Sequence, residues 1–144
     1  MAGADEITEQ DYRRIREFRT GLRRFLRWSE EQAGVAGLTP AQHQLLLVIR
    51  AHEDPRGPTL GNIAAQLLIR HNSAVELVDR AARARLIRRV DDPADQRVVR
   101  LGLTDRGAQK LAALTARHLE ELARTGPQLS RLWEGLDAGQ PHHQ

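Results

Sequence analysis

The fold is decided by residues 60–103, which read LGNIAAQLLIRHNSAVELVDRAARARLIRRVDDPADQRVVRLGL. Apolar residues at helical spacing predict one helix over residues 60–67 and a second over residues 71–85, with a tight turn between them. Two short apolar segments on either side of the polar loop 91–97 are typical of strands. This order predicts a winged helix-turn-helix, in which the second helix enters the major groove of duplex DNA.

The second helix of this segment has one apolar side and one polar side. Ala74, Val78 and Ala81 lie on the side that we expect to be buried. Polar donors gather on the first turns of the opposite side, where a recognition helix meets the edges of the bases. Asn can pair with adenine and Arg with guanine, while Ser and backbone N–H groups can bind phosphate. The candidate DNA-binding residues here are Arg70, His71, Asn72, Ser73, Glu76 and Arg80.

Glu76 is an acidic residue on a surface that would face phosphates. It has two interpretations. Its carboxylate accepts a hydrogen bond from cytosine N4, or it orders Arg80 or Arg83 through an ion pair along the helix. We favour the second interpretation.

The strands of the wing are predicted at residues 86–90 and 98–103, and Val99, Leu101 and Leu103 alternate toward a buried face. The loop between the strands is too polar to be part of a core.

The wing loop ends in Arg97, which is well placed to enter the minor groove, where narrow A·T-rich DNA concentrates negative potential. Asp95 lies two residues earlier and can hold the Arg97 side chain extended. The acidic residues of this loop are compatible with DNA only if they position arginines or face away from phosphate.

Charge is distributed unevenly along the chain, although the net charge is only +3. Residues 69–110 carry ten Lys and Arg against six acidic residues. Residues 1–37 carry seven Arg against seven acidic residues. The surplus on the predicted recognition helix and wing is where a phosphate backbone would lie.

Absent features exclude several classes of protein. The chain has no Cys, so disulfides, thiol redox sensing and Cys-based zinc sites are excluded. No secretory signal is visible, and the longest apolar run, residues 45–49, is too short to span a membrane. No nucleophile elbow, P-loop or dinucleotide-binding motif is present, so we expect neither an enzyme nor a cofactor. We expect a soluble cytoplasmic protein without a metal site.

Helices at the two ends of the chain are candidate dimerisation elements. The first is expected over residues 8–34 and holds both Phe residues, although an ordinary core helix is the alternative. A later helix is expected to end near Arg124, because Gly126 and Pro127 follow, and a short last helix completes the chain. The segments 8–34 and 104–136 are therefore predicted to form the dimerisation part.

Capping residues mark two further helix starts. Thr39 precedes Pro40, with Gln42 three residues after the cap, and Thr59 precedes the helix at residues 60–67. All these elements predict a mainly α fold with a small two-stranded β-wing (α+β).

The segments LTPAQHQLLLVI (38–49) and DDPADQRVVRLGLTDRG (91–107) resemble the MarR family of bacterial transcription regulators. The most specific piece is D-P-x-D-x-R, Asp92 to Arg97, followed by L-x-L-T-x-x-G. The resemblance implies a single domain over residues 1–144, with the DNA-binding winged helix-turn-helix at 38–103. It also implies a homodimer that binds a pseudopalindromic operator, often as a repressor released by a small phenolic or carboxylate compound.

The same resemblance implies that Arg70 and the three residues after it contact bases and phosphates. It also implies that Asp95 and Arg97 match the family's pair of residues at the wing tip. Two positions depart from the family pattern. Family members often have Gly where this chain has Leu68 and Arg85, so Arg85 either adopts a left-handed backbone or the turn differs locally. Glu76 stands where a neutral or basic residue is common.

A ligand pocket is expected between the first, second and fifth helices. For each candidate residue we favour plain core packing, because an apolar residue at helical spacing needs no ligand to explain it. A carboxylate ligand would need a nearby arginine, and the first helix offers Arg19, Arg23 and Arg27. The candidate lining residues are Phe18, Leu22, Phe25, Trp28, His43 and Leu47.

An alternative function remains open at this point. A winged helix can bind DNA constitutively, or bind a protein partner, without any effector. The polar first turn of the recognition helix and Arg97 argue against pure protein binding. Partners expected from the sequence are therefore duplex DNA, a second copy of the chain and a possible small-molecule effector, with no membrane.

Overall fold

The computed structural model describes residues 6–137, and the side chains of residues 6–134. The described residues form five helices and one two-stranded antiparallel sheet, which confirms the mainly α fold with a small β-wing. The elements are α1 (Glu9–Val35), α2 (Pro40–Ala51), α3 (Leu60–Leu67), α4 (His71–Arg83), β1 (Ile87–Asp91), β2 (Val99–Leu103) and α5 (Asp105–Asp137).

The chain divides into two compact units. One, the helical unit, consists of α1 up to Glu31 and α5 from Arg117 onward. The other, the winged-helix unit, is Gln32–Ala116. A single domain over residues 1–144 stays a prediction, as does the dimerisation role of the terminal helices.

Two helices of the winged-helix unit begin with the predicted capping residues. The hydroxyl of Thr39 accepts from the Gln42 backbone N–H at 3.1 Å, and the Gln42 side chain accepts in return from the Thr39 N–H. Thr59 and Asn62 form the same reciprocal pair at the start of α3. Both caps satisfy donors that a helix end would otherwise leave unpaired.

The core of the winged-helix unit lies between the helix-turn-helix and the sheet. Leu45 and Leu46 of α2 are fully buried with Ile63 of α3, and Val78 of α4 is 1% exposed. Side chains of this size each contribute about 1.5–3 kcal/mol when fully buried. This packing fixes the angle at which α4 presents its polar side.

The sheet pairs Ile87 with Leu103 and Asp91 with Val99. Leu101 is buried, but Val99, two residues earlier on the same face, is 37% exposed, so the prediction that Val99 is buried is wrong. Val99 lies at the end of the ladder nearest the wing loop, beyond the reach of the core, and its cross-strand partner Asp91 is exposed as well.

The fifth helix corrects a second prediction. The sequence predicted that Gly126 and Pro127 end a helix near Arg124, but α5 continues through Pro127 to Asp137. Proline inside a helix removes one backbone hydrogen bond and costs about 3 kcal/mol. The helix must therefore be held on both sides of that position by other contacts.

Those contacts lie within the helical unit. The rings of Phe18 and Trp133 pack with their centroids 5.5 Å apart. Leu129 lies so close to Gly21 that a Cβ added to this glycine would stand 2.8 Å from Leu129 Cδ2. Packing after Pro127 thus keeps the last turns of α5 against α1, which local sequence signals did not reveal.

Among residues 6–137, two residues other than glycine adopt the left-handed backbone conformation, Leu68 with φ 57° and Arg85 with φ 61°. These are the two positions where family members often have Gly, and the left-handed alternative for Arg85 is confirmed. Leu68 ends α3, and its N–H bonds to the Ala65 carbonyl at 3.4 Å. The turn therefore requires this conformation whatever residue occupies it.

Replacing Leu68 with Gly is expected to stabilise the protein. A left-handed residue with a Cβ costs roughly 1–2 kcal/mol, and the greater unfolded-state freedom of Gly offsets part of the gain. The side chain is 91% exposed, so little packing is lost. Urea unfolding should show a gain of about 0.5–1 kcal/mol. The control Leu68→Ala keeps the Cβ, and an equal gain in both variants would contradict the explanation.

Among the described residues, no helix is long and apolar enough to cross a membrane.

Candidate nucleic-acid interface

The first turn of α4 is open to solvent. Arg70 occupies the N-cap position in an extended conformation, and no side chain caps the helix. The first backbone N–H groups are therefore available to an anion, since a helix N-terminus favours negative charge. The six residues predicted to bind DNA on this helix are all exposed: Arg70, His71, Asn72, Ser73, Glu76 and Arg80.

The structure does not show the ion pair that we favoured for Glu76. Neither Arg80 nor Arg83 pairs with it, and it makes no ion pair within residues 6–137. The other acidic residue of α4, Asp79, does form an ion pair, and its partner is Arg89 of β1. That pair ties α4 to the wing, and it leaves the Glu76 carboxylate free to accept a hydrogen bond from a base.

The wing tip places Arg97 in solvent, with its side chain 91% exposed. Asp95 Oδ1 accepts from the Arg97 backbone N–H at 3.0 Å and from Arg97 Nε at 3.2 Å. The Asp95 carbonyl accepts from the Val98 N–H at 3.0 Å. Asp95 thus shapes the turn and orients the guanidinium, as the sequence predicted, and leaves the two Nη groups free to donate.

The base of the wing rests on a buried ion pair that the sequence did not predict. Asp92 is 4% exposed, and its Oδ2 accepts from Arg100 Nε at 2.9 Å. Its Oδ1 accepts from the Ala94 N–H at 2.8 Å. Arg100 Nη1 also donates to the Gly57 carbonyl at 3.0 Å. These bonds fasten the wing loop to the segment before α3.

Asp54 and Arg56 extend this network. Arg56 Nη2 lies 2.8 Å from Asp54 Oδ2, and Arg56 Nη1 lies 3.6 Å from Asp92 Oδ2. The hydrogen bond from the Arg56 side chain and that from its backbone N–H hold the pKa of Asp54 well below its usual range. The Arg100 side chain and the Ala94 N–H lower the pKa of Asp92 in the same way. The Asp92-Pro93 pair signals a turn in the sequence, but its partners lie far along the chain.

The Asp92→Asn variant tests this network through pH. Because the pKa of Asp92 is lower in the folded protein than in the unfolded chain, its charged form stabilises the fold at pH values above the unfolded pKa of about 3.9. This stabilisation is lost as the pH falls through the pKa of the folded protein. At pH 7 the variant should therefore melt several degrees below the wild type. Thermal melts between pH 7 and pH 2 should show the difference shrink below about pH 4. A melting-temperature difference that stays constant down to pH 2 would mean that the charge of Asp92 does not stabilise the fold.

The predicted ligand-binding residues fall in both units. In the helical unit, Phe25 and Trp28 line a cavity of about 570 Å³ between α1 and α5, whereas Phe18 packs on Trp133. Leu22 on α1 is exposed and does not line it. Arg19, Arg23 and Arg27 do not line it either. The arginines that do are Arg16, Arg24 and Arg124.

The other two candidates belong to α2 in the winged-helix unit. His43 is buried there, and Leu47 is 45% exposed. Their role toward a ligand stays a prediction.

An aromatic cluster that the sequence did not predict lies beside the cavity in the helical unit. His118 packs edge-on against Trp28, with ring centroids 4.8 Å apart, and against Phe25 at 6.0 Å. Its Nε2 lies 2.6 Å from Ser29 Oγ, within hydrogen-bond distance. Phe25 and Trp28 give the cavity an aromatic wall, and His118 packs against both rings. Within residues 6–137, no group of three or more His, Asp or Glu side chains is placed to hold a metal ion.

The fold and this surface define the chain as a winged helix-turn-helix protein. Residues 36–98 match the model of the MarR family. This match lies within the winged-helix unit. This part of the chain therefore resembles the MarR family.

Known proteins similar to this chain agree. An uncharacterised HTH-type transcriptional regulator of Bacillus subtilis, YsmB, is 31% identical over 64 residues, and the match spans 44% of each chain. AbsC, a MarR family transcriptional regulator from Streptomyces coelicolor, is 20% identical, with 94% of this chain and 93% of AbsC covered and a TM-score of 0.74. The S. aureus MepR–DNA complex is 22% identical, with 85% and 97% covered and a TM-score of 0.65.

Proposed function

We propose that this protein is a homodimeric transcription regulator that binds duplex DNA in the cytoplasm. The observation that carries the proposal is the surface of the winged-helix unit, where an uncapped, polar first turn of α4 accompanies an arginine held out from the wing tip. Helix α4 would read base edges in the major groove, and Arg97 would enter the minor groove. The complex of the similar MepR with DNA supports this assignment. YsmB and AbsC are named as transcriptional regulators, and we propose no enzymatic activity.

Ser73 and its neighbours have complementary roles in this proposal. Backbone N–H groups and the Ser73 hydroxyl would hold a phosphate at the start of α4, which fixes the register of the helix. Asn72 and Arg80 would contact bases. Glu76, which has no ion-pair partner in the part of the chain that the structure describes, would accept from a cytosine amino group.

The helical unit supports the dimer part of the proposal. Tyr12, Ile15, Leu22 and Leu26 lie exposed along α1, between 39% and 62%. The exposed apolar residues of α5 are Leu119, Leu122 and Trp133. An apolar surface of this extent is typical of an interface, and a second copy would bury it. Two copies related by a twofold axis would read a pseudopalindromic operator.

Leu26→Glu tests the dimer. A charge at an apolar position that is half-exposed in one chain should be costly only if a second copy covers it. Sedimentation at micromolar concentration should show a shift from dimer to monomer. Leu68→Glu, on the exposed turn of the winged-helix unit, should leave the dimer intact. A dimer that survives Leu26→Glu would remove α1 from the interface.

We further propose that the protein represses transcription and is released by a small phenolic or carboxylate ligand. The cavity of the helical unit supports this, because Phe25 and Trp28 offer aromatic stacking and Arg16 and Arg24 offer charge. Phe18, Leu22, His43 and Leu47 remain proposed ligand-binding residues. A constitutive regulator without an effector is the alternative.

A gel-shift experiment tests both parts of the proposal. The probe is the DNA upstream of the protein's own gene, at one fixed salt concentration, with and without salicylate and a panel of small phenols. Salt is fixed because phosphate contacts make affinity steeply salt-dependent. Selective binding released by a compound supports the full proposal. Selective binding that no compound disturbs favours the constitutive regulator, and failure to bind any duplex contradicts DNA binding itself.

A further inference from the structure

A second concentration of positive charge, besides that of the recognition helix and wing, lies on α1. Between residues 12 and 28 there are seven arginines and one acidic residue, Glu17, a local charge of +6 over 17 positions. Residues 69–110, which hold the recognition helix and wing, carry ten basic and six acidic residues over a longer stretch. The arginines of α1 are Arg13, Arg14, Arg16, Arg19, Arg23, Arg24 and Arg27.

Four of these residues form a line along one side of α1. Arg16, Arg19, Arg23 and Arg27 follow each other at intervals of three or four residues, which places them on one face of a helix. We call this line the arginine stripe. All four residues are exposed. The stripe extends over about 16 Å, at about 1.5 Å per residue.

Few acidic side chains neutralise the stripe. Arg27 pairs with Glu31 at 3.5 Å, and both side chains are largely exposed. Arg16, Arg19 and Arg23 have no ion-pair partner among residues 6–137. Unpaired guanidinium groups in a row raise the local potential and attract a polyanion.

The side of α1 opposite the stripe argues against a membrane surface as the partner of the stripe. A helix that binds a lipid surface needs its apolar face free for insertion. Here Phe18 packs against Trp133, and Gly21 lies against Leu129, so much of that face is engaged by α5. The apolar residues of α1 that remain exposed, among them Leu22 and Leu26, are the ones proposed above to contact a second copy. In that dimer the charged side is left for an anion without an apolar part.

We propose that the arginine stripe binds a second segment of duplex DNA, separate from the segment read by α4 and the wing. Duplex DNA carries about one negative charge per 1.7 Å of its axis with both strands counted, so a length of about 16 Å carries roughly ten phosphates, and the stripe would contact those on the side that faces it. Guanidinium groups bind phosphate in a bidentate manner. This inference goes beyond the proposed function, because it gives each protomer a phosphate-binding surface on the helical unit and lets one protein hold two duplexes.

The test is a two-duplex capture assay. A duplex selected for tight binding is immobilised and saturated with full-length protein, and a fluorescent second duplex without that site is then added. The variant is Arg19→Gln/Arg23→Gln, and the matched control, Arg50→Gln/Arg106→Gln, removes the same charge from other exposed positions. The wild type and the control should capture the second duplex. The stripe variant should bind the first duplex normally and should capture at least 10-fold less of the second duplex.

A second measurement uses salt. The affinity for the second duplex should fall with log salt concentration, and loss of two phosphate contacts should flatten this slope by about 1.8. Equal capture and equal slope in the wild type and the stripe variant would overturn the proposal. So would a stripe variant that sediments as a monomer, because the stripe would then belong to an interface between copies. A wild type that binds the first duplex but captures no second one overturns this inference and leaves the proposed function standing.

Discussion

Arg97→Ala is expected to weaken binding to a selected duplex by about 10-fold to 100-fold, because an arginine that reads DNA contributes about 1–3 kcal/mol. The side chain is almost fully exposed, and its pair with Asp95 is a surface pair, which contributes little to stability. The thermal melt should therefore remain that of the wild type. Fluorescence anisotropy at fixed salt measures the affinity.

Two variants separate the causes of that loss. Arg97→Lys keeps the charge but loses the planar donors, so it should recover only part of the affinity. Asp95→Ala keeps Arg97 but releases it, and should cost a few-fold. Unchanged affinity in Arg97→Ala would place the wing tip outside the DNA contact and contradict its minor-groove role.

Gly107→Ala is expected to destabilise the protein by at least about 3 kcal/mol, at the upper end of the cost of overpacking. A Cβ at Gly107 would stand 2.0 Å from the carbonyl oxygen of Leu86. That oxygen is held by the Thr104 N–H at 3.1 Å, and the Thr104 hydroxyl donates to the Arg85 carbonyl at 2.6 Å. Neither backbone segment can move away without breaking the start of β1 or α5.

The matched control is Gly34→Ala. This glycine also lies in a helix, but nothing stands within 4 Å of an added Cβ. Alanine there should stabilise the protein by roughly 0.5–1 kcal/mol. Urea unfolding of both variants measures the difference. A Gly107→Ala protein as stable as the wild type would mean that the α5 start and β1 are less tightly joined than the structure indicates.

Local sequence signals were sufficient for most of the winged-helix unit. The capping residues Thr39 and Thr59 start helices as predicted, since a cap acts within one turn. The bond between Asp95 and Arg97 was also predictable, because it joins residues two positions apart. Spacing along one segment was enough to identify these features.

Features that depend on distant contacts were not predicted. The continuation of α5 through Pro127 depends on packing against α1, and the buried pair of Asp92 and Arg100 depends on the loop before α3. Glu76 has no ion-pair partner among the described residues, because side-chain rotamers and neighbouring elements decide which acid pairs. Such contacts become visible only in three dimensions.

We propose that the surface formed by α4 and the wing reads duplex DNA in a symmetric dimer. The most direct measurement is selection of bound duplexes from a random-sequence pool by the full-length protein, followed by sequencing. An inverted repeat with half-sites about one helical turn apart, whose enrichment falls with Arg97→Ala, is the predicted result. A pool without any enriched sequence, or enrichment that Arg97→Ala and Asn72→Ala leave unchanged, would contradict it.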